Sequence, residues 1–172
     1  MKRLISVQIV ILILLPLLIY SKSINNGYIW DDDVHIYKNS HLKDLNGLKA
    51  IWIKNTTNQY YPLTITFFWI AEKAWGLNPR GYHTMSIVFH AANTLLLFWV
   101  VKKLFWPLAF IVALIFAIHP IQVETVAWAT EFKNILALFF FLLALLSYLK
   151  SVSYTHLRAH ETVLDLVCRL LL

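Results

Sequence analysis

Four long apolar stretches constrain the fold of this 172-residue chain more than any other feature of its sequence. They cover residues 4–20, 82–101, 104–122 and 132–150. A membrane-spanning helix needs roughly 20 mostly apolar residues, so the sequence predicts an all-α polytopic membrane protein with four transmembrane helices. The first stretch also resembles a signal peptide, but the residues that follow it make a poor cleavage site, and an uncleaved anchor is favoured.

Residues 152–172 differ in character from the rest of the chain. VSYTHLRAHET (152–162) and LVCRLLL (166–172) read as translations of the two adapters that flank the index in DNA-sequencing libraries. We interpret this segment as a non-native tail and expect the native protein to continue differently past about residue 151. The interpretation removes Cys168, the one cysteine, from any thiol chemistry, and it removes His156 and His160 from the candidate ligands.

Charge predicts how the chain is oriented in the membrane, because cytoplasmic loops carry excess lysine and arginine. With the N-terminus inside, the charged residues of the inner segments are all basic: Lys2, Arg3, Lys102, Lys103 and Lys150. The acids outside the tail then all lie on the outer side: Asp31, Asp32, Asp33, Asp44, Glu72, Glu124 and Glu131. We therefore predict a multi-pass protein with a cytoplasmic N-terminus. Its net charge of +6 reflects this topology, and no nucleic-acid partner is expected.

The long external loop, residues 21–81, contains two predicted surface helices. SHLKDLNGLKAIWIK (40–54) places its apolar residues near helical spacing, which is typical of an amphipathic helix at a membrane interface. YYPLTITFFWIAEKAWG (60–76) has an apolar run too short to span a bilayer, and Pro62 stands where a first-turn proline is tolerated. Ordinary packing within the loop is the alternative for both. Between them, Asn55-Thr56-Thr57 is a glycosylation sequon that matters only in a eukaryotic secretory compartment.

The segment GYIWDDDVHIYKNS (27–40) places Asp31, Asp32 and Asp33 side by side just beyond the first apolar stretch. Crowded carboxylates raise one another's pKa. The pattern indicates either a general base poised near neutral pH or a divalent cation held through oxygens, with Asp31 and Asp33 as the candidate ligands. A helix N-cap or a solvated loop end is the alternative.

Two further groups of polar residues accompany the later apolar stretches. On the second stretch, a polar stripe at helical spacing either hydrogen-bonds neighbouring helices or lines a site; it comprises His83, Ser86, His90 and Asn93. In AIHPIQVETVAWATEFKN (117–134), His119-Pro120 is predicted to end the third span. Glu124, Glu131 and Lys133 follow on the same outer face as the aspartates, which indicates a shared outward-facing cleft.

Taken in order, WDDD, YYPLT, WGLNPRGYH, FHAANTLLL and FAIHPIQVETVAW resemble the membrane part of the transmembrane and tetratricopeptide-repeat-containing proteins. These are glycosyltransferases of the GT-C type, a class that includes the protein O-mannosyltransferases. The resemblance covers about residues 4–150. It implies a GT-C-like bundle of which four spans are present here, followed in the native protein by a tetratricopeptide array that is not visible in this sequence.

The resemblance also implies an activity. Such enzymes take a sugar from a polyprenyl-phosphate carrier at the outer or lumenal face and transfer it to an acceptor hydroxyl, here expected to be on a protein. The implied base is Asp32, then Asp31 or Asp33, with Glu124 orienting the acceptor or helping to hold a cation. Lys133 or Arg80 would contact the donor phosphate. The remaining candidates for donor or acceptor binding are His83, His90, Asn93, His119 and Glu131.

Two other classes of function compete with the transferase. A transporter subunit would place charged or broken helices near the midplane, whereas the acids here lie outside the predicted spans. A non-catalytic scaffold would bind partners through the missing repeats, and the aspartates would be dispensable. We expect residues 1–151 to be inactive alone, and we expect the native protein in a bacterial inner membrane or, in a eukaryote, in the endoplasmic reticulum.

Overall fold

The structure is a computed structural model that describes the backbone of residues 2–54 and 59–170 and the side chains of residues 3–54 and 59–151. Two predictions lie outside the described side chains: the non-native tail at residues 152–172 and the sequon at Asn55. Helices and turns make up the described backbone, with no strand. The α-helices are α1 (Lys2–Ile19), α2 (Leu45–Ile53), α3 (Pro62–Trp75), α4 (Pro79–Leu104), α5 (Ala109–Ile118), α6 (Gln122–Ala127) and α7 (Phe132–Leu170).

Helix α4 is the centre of the bundle and packs against α1, α5 and α7. Two apolar clusters hold it in place. The larger joins α4 to the external loop and to α7 through buried aromatic residues such as Phe68, Tyr82 and Phe132. The smaller lies at the other end, where Leu12 of α1 meets Phe98 of α4 and Ala113 of α5. The all-helical class predicted from the sequence is confirmed for the described residues.

Two of the four predicted spans have helices long and apolar enough to cross a membrane, over Pro79–Leu104 and Ala129–Ser151. The other two stretches form shorter apolar helices, over Arg3–Ile19 and Trp106–Ile118. In the stretch predicted to span residues 104–122, the helix stops at His119-Pro120, as the sequence predicts, and the bounds of the membrane span stay a prediction. Its helix α5 has 10 residues and ends at Ile118, and His119 is extended, because the residue before a proline is driven out of the helical region.

The external loop forms the two predicted helices. The Asp44 carboxylate caps α2 by accepting a hydrogen bond from the Gly47 amide at 2.6 Å. Pro62 occupies the first turn of α3. The two helices are joined by a hydrogen bond from Trp52 Nε1 to Thr66 Oγ1 at 3.0 Å. Their location at a membrane surface stays a prediction.

Two residues of the polar stripe of α4, His90 and Asn93, hydrogen-bond neighbouring helices. The His90 ring lies with Nε2 3.3 Å from the Ala117 carbonyl of α5. Asn93 Nδ2 donates to the Ile135 carbonyl of α7 at 2.8 Å. Ser86 Oγ turns back to the Tyr82 carbonyl of its own helix. Of the two alternatives left by the sequence, the contacts of His90 and Asn93 therefore favour interhelical bonding over a site-lining role.

Substituting Gly47 with alanine is expected to destabilise the start of α2. A Cβ at this position would lie 2.1 Å from the backbone oxygen of His41, and backbone cannot move aside as a side chain does. Overpacking of this kind costs about 1–3 kcal/mol. In hydrogen-exchange measurements on the native full-length protein, Leu45–Ile53 should lose protection. Gly27→Ala is the matched control in the same loop, because nothing lies within 4 Å of its added Cβ; equal protection in both variants would contradict the packing.

Candidate functional site

Two loops that are far apart in the chain meet at a buried carboxylate. Asp32, in the first external loop, is fully buried. Its Oδ1 accepts hydrogen bonds from the Thr130 amide at 2.8 Å and from the Thr130 hydroxyl at 2.5 Å. Its Oδ2 accepts a third from the Ile29 amide at 3.0 Å. Because three donors bond to this carboxylate, Asp32 holds the first external loop against the turn that precedes α7. We call this contact between Asp32 and Thr130 the lock.

Trp30 makes a second contact between the same loops. It is the one non-glycine residue with positive φ among the described residues, at 44°, a conformation that is uncommon for bulky side chains. The residue is 75% exposed, and its ring meets the Trp128 ring edge-on, with centroids 5.1 Å apart. Strained backbone of this kind is often found at functional sites. After this residue, Asp31 is exposed and Asp32 is buried.

The three aspartates have different environments. Asp33 Oδ2 forms an ion pair with Lys38 Nζ at 2.5 Å, and the hydrogen bond from Lys38 lowers the pKa of Asp33. The expectation that crowding raises the pKa of each carboxylate is therefore wrong for Asp33. Asp32 is buried in the lock with Thr130, which leaves Asp31 as the exposed carboxylate without a hydrogen bond of its own among the described side chains.

The described side chains contain no group of three or more histidines, cysteines or acids placed to hold a metal ion. Asp31 and Asp33 were the predicted ligands, and Asp33 is instead paired with Lys38. A cation held by Asp31 and Asp33 stays a prediction.

A histidine that the sequence analysis did not single out stands beside Asp31. His35 is buried in a π-helical turn, Asp33–Tyr37, and its Nδ1 has no hydrogen-bond partner among the described residues. Its ring centroid lies 6.5 Å from that of Tyr61. Burial lowers the pKa of His35, the charge of Asp31 opposes this, and the charge of Lys133 adds to it. Asp31 and Lys133 are therefore both within electrostatic reach of one imidazole.

Lys133 lies at the start of α7, between aromatic rings. Its Nζ is 2.5 Å from Glu131 Oε1, 5.7 Å from the Tyr61 ring centroid and 5.9 Å from that of Trp128. Glu131 Oε2 also accepts a hydrogen bond from Asn134 Nδ2. The cation is thus held by one carboxylate and two rings.

A cavity of about 440 Å³ opens beside this lysine, between the first turn of α3 and the first turns of α7. The α7 wall consists of Lys133, Asn134, Leu136, Ala137 and Phe140. The opposite wall consists of Trp52, Tyr60, Tyr61, Pro62, Leu63 and Thr64. Positions three, four and seven residues after Lys133 share one helix face. The cavity therefore has a cation at one end and a largely apolar wall that continues along α7.

The other predicted site residues do not line this cavity. Arg80 is exposed at the start of α4, and Glu124 is exposed in the first turn of α6. His119 is exposed, and its Nδ1 accepts a hydrogen bond from the Ile121 amide at 3.2 Å. His83 is buried on α4. The residues that the structure does bring together are the aspartate loop, Glu131 and Lys133.

Three curated proteins show what this chain is similar to. Human protein O-mannosyl-transferase TMTC1 is 33% identical over 149 residues, covering 78% of this chain and 17% of the relative. Mouse protein O-mannosyl-transferase TMTC3 is 33% identical over 144 residues, covering 77% and 16%. Caenorhabditis elegans protein O-mannosyl-transferase F38B6.6 is 28% identical over 159 residues, covering 84% and 23%. The chain is a relative of the protein O-mannosyl-transferases.

The resemblance carried by the sequence motifs is thereby confirmed. No family model and no solved structure matches the chain. The similarity and the two helices of spanning length together make it a helical membrane protein. The chain spans between 16% and 23% of the length of these three protein O-mannosyl-transferases, so the activity of the whole protein is a matter for proposal.

Proposed function

We propose that the full-length protein is a membrane glycosyltransferase. It would transfer a sugar, mannose by analogy with its relatives' names, from a polyprenyl-phosphate donor to a hydroxyl of a protein acceptor at the outer or lumenal face. The observation that supports this most is the cavity beside Lys133, which combines a cation with an apolar wall in a relative of the protein O-mannosyl-transferases. The aspartate loop bonds the turn just before this lysine through Asp32 and Thr130.

The cavity at Lys133 suits a lipid-linked donor. A polyprenyl phosphate has one anionic group at headgroup level and an apolar chain below it. Lys133 would bind the phosphate, and Leu136, Ala137 and Phe140 would contact the first part of the chain. The ammonium is already positioned by Glu131 and by the rings of Tyr61 and Trp128. Binding would exchange part of its contact with the Glu131 carboxylate for contact with the phosphate, so that one charge-assisted hydrogen bond replaces another.

Asp31 is the carboxylate that we assign as general base. In the transfer, the acceptor oxygen forms a bond to the anomeric carbon of the sugar. The bond from that carbon to the phosphate oxygen breaks, and the electron pair leaves with the polyprenyl phosphate. The hydroxyl proton passes to Asp31, which is exposed and has a free carboxylate. Asp32 was the first choice from the sequence, but its oxygens already accept hydrogen bonds from Ile29 and Thr130, so a positioning role suits it better.

The neighbouring groups would support both partners of the reaction. Burial holds the pKa of His35 low, so its ring is neutral near pH 7 and leaves the charge of Asp31 uncompensated. Lys133 would offset the negative charge that grows on the leaving phosphate, which is where preorganised positive groups contribute most to catalysis. The predicted orientation, with the N-terminus in the cytoplasm, would place these residues at the outer or lumenal face.

The test is transfer by the native full-length protein, purified in detergent, from polyprenyl-phosphate mannose to a serine- and threonine-containing polypeptide. We expect mass spectrometry to find hexose attached to the polypeptide, and we expect no attachment when a nucleotide sugar replaces the lipid-linked donor. Absence of transfer from lipid-linked mannose and from lipid-linked glucose, with folded protein, would support the scaffold alternative.

Replacing Lys133 with glutamine is expected to raise the KM for the lipid-linked donor by about 10–100-fold, because a charge-assisted hydrogen bond contributes about 1.5–3 kcal/mol. The matched control is Lys73→Gln on α3, which removes an exposed lysine bonded to Glu72 and to the Lys43 carbonyl. Steady-state kinetics with varied donor would measure both. Equal KM values for Lys133→Gln and the unmodified protein would rule out the phosphate contact.

A further inference from the structure

A second groove lies at the opposite end of the bundle, near the ends of α1 and α4. Its volume is about 130 Å³, and it is formed by three elements: α1, α4 and the Trp106–Phe110 segment. Its walls are Leu4, Gln8, Phe98, Trp106, Pro107, Ala109 and Phe110. Apart from one glutamine side chain the lining is apolar, and the space accommodates a few methylene groups of a chain.

Lys102 is positioned at this groove by aromatic rings. Its Nζ lies 5.6 Å from the Phe98 ring centroid and 4.9 Å from the Trp106 centroid, and both rings belong to the groove wall. A third ring, Trp99, lies 4.3 Å away. Cations over aromatic faces are attracted by the ring quadrupole, most strongly where water is scarce. The ammonium group is thus held beside an apolar groove.

The surroundings of the groove are basic and contain no acid. Arg3 precedes the wall residue Leu4, and Lys103 follows Lys102; both are exposed. None of the described residues of α1, α4, α5 or the Phe105–Leu108 connection is an aspartate or glutamate. The terminal dipole of α4 favours cations in its last turn, which accounts for the positive charge. It does not account for the placement of Lys102 over the two rings that also form the groove.

We propose that this groove binds one acyl chain of an anionic phospholipid, whose headgroup contacts Lys102 together with Arg3 and Lys103. Basic pockets between transmembrane helices on the cytoplasmic side are a known mode of anionic-lipid recognition, and the predicted topology puts this end there. The site lies on elements other than those that form the donor cavity, and it goes beyond the proposed transferase function. The bound lipid would contact α1, α4 and the start of α5 together and would stabilise their packing.

To test this, the native full-length protein in detergent is titrated with dioleoyl phosphatidylserine or with dioleoyl phosphatidylcholine. Native mass spectrometry then counts the lipid molecules bound. We expect phosphatidylserine to bind more tightly. Lys102→Gln should weaken phosphatidylserine binding about fivefold, which corresponds to one basic residue near an anionic surface. Lys102→Arg should retain it, because arginine keeps both the charge and the contact with the rings.

Two further variants separate the groove from general surface charge. Lys150→Gln removes an exposed basic residue that is not part of the groove lining, and it should leave binding unchanged. Gln8→Phe fills the groove without changing charge and should weaken phosphatidylserine binding at least about fivefold, because the buried methylene contacts are lost. Equal binding of the two lipids, equal losses for Lys102→Gln and Lys150→Gln, or full binding by Gln8→Phe would each overturn the proposal.

Discussion

Replacing Asp31 with asparagine is expected to lower the kcat of glycosyl transfer by about 10²–10⁴-fold, the usual contribution of a positioned general base. Asparagine keeps the size of the side chain but cannot take the acceptor's proton. Because Asp31 is exposed, the change should leave the fold intact. The measurement is transfer from polyprenyl-phosphate mannose by the native full-length protein, with thermal unfolding recorded on the same samples.

The control for this prediction is the neighbouring carboxylate. Asp33 is paired with Lys38 on the surface, and Asp33→Asn should change kcat by no more than about twofold, since exposed ion pairs contribute little. The prediction would be contradicted if Asp31→Asn retained full transfer while Asp32→Asn lost it with an unchanged unfolding temperature. Asp32 would then be the base.

Much of the helical framework could be predicted from local sequence signals. Pro62 and Pro79 stand in the first turns of α3 and α4, where proline is tolerated. Pro120 ends the helix before it, as expected for a residue without an amide hydrogen. These features depend on neighbours within one or two turns, which a sequence displays directly.

The roles of the three aspartates could not be predicted in this way. Adjacent carboxylates look equivalent in sequence, and the crowding argument treats them as one charge cluster. Their environments differ because Trp30 adopts positive φ and because the partner of Asp32 is Thr130, 98 residues further along the chain. Threonine carries no charge, and nothing in the sequence marks Thr130 as the partner of a buried carboxylate. A contact of this sequence separation becomes visible only when the two loops are folded together.

His35 was missed for a related reason. It lies four residues after Asp31, a spacing that brings side chains together in a helical turn, and this signal was present in the sequence. What the sequence did not display is that Tyr61 and Lys133 approach the same ring from other elements. The cavity beside Lys133 also combines α3 with α7, and their pairing depends on how the external loop folds back onto the bundle.

Removing the Asp32 carboxylate is expected to have the largest effect on stability. Asp32→Ala would leave the buried amide of Thr130 and the partly buried amide of Ile29 without their acceptor. Each unsatisfied buried donor costs about 1–3 kcal/mol, so we expect a loss of about 3 kcal/mol in the free energy of unfolding of the native full-length protein. Thr130→Val removes only the hydroxyl and should cost about 1.5 kcal/mol.

The double variant tests whether Asp32 and Thr130 act as a pair. If they do, Asp32→Ala with Thr130→Val should cost less than the sum of the single changes, because the hydroxyl bond is lost only once. Thr130→Val should also lower kcat about tenfold with an unchanged donor KM, since the lock sets the position of Asp31 and leaves Lys133 in place; displacement of a reacting group by about 1 Å can cost as much as 10²-fold. Additive stability changes, or full kcat in Thr130→Val, would show that the lock between the loops does not position the base.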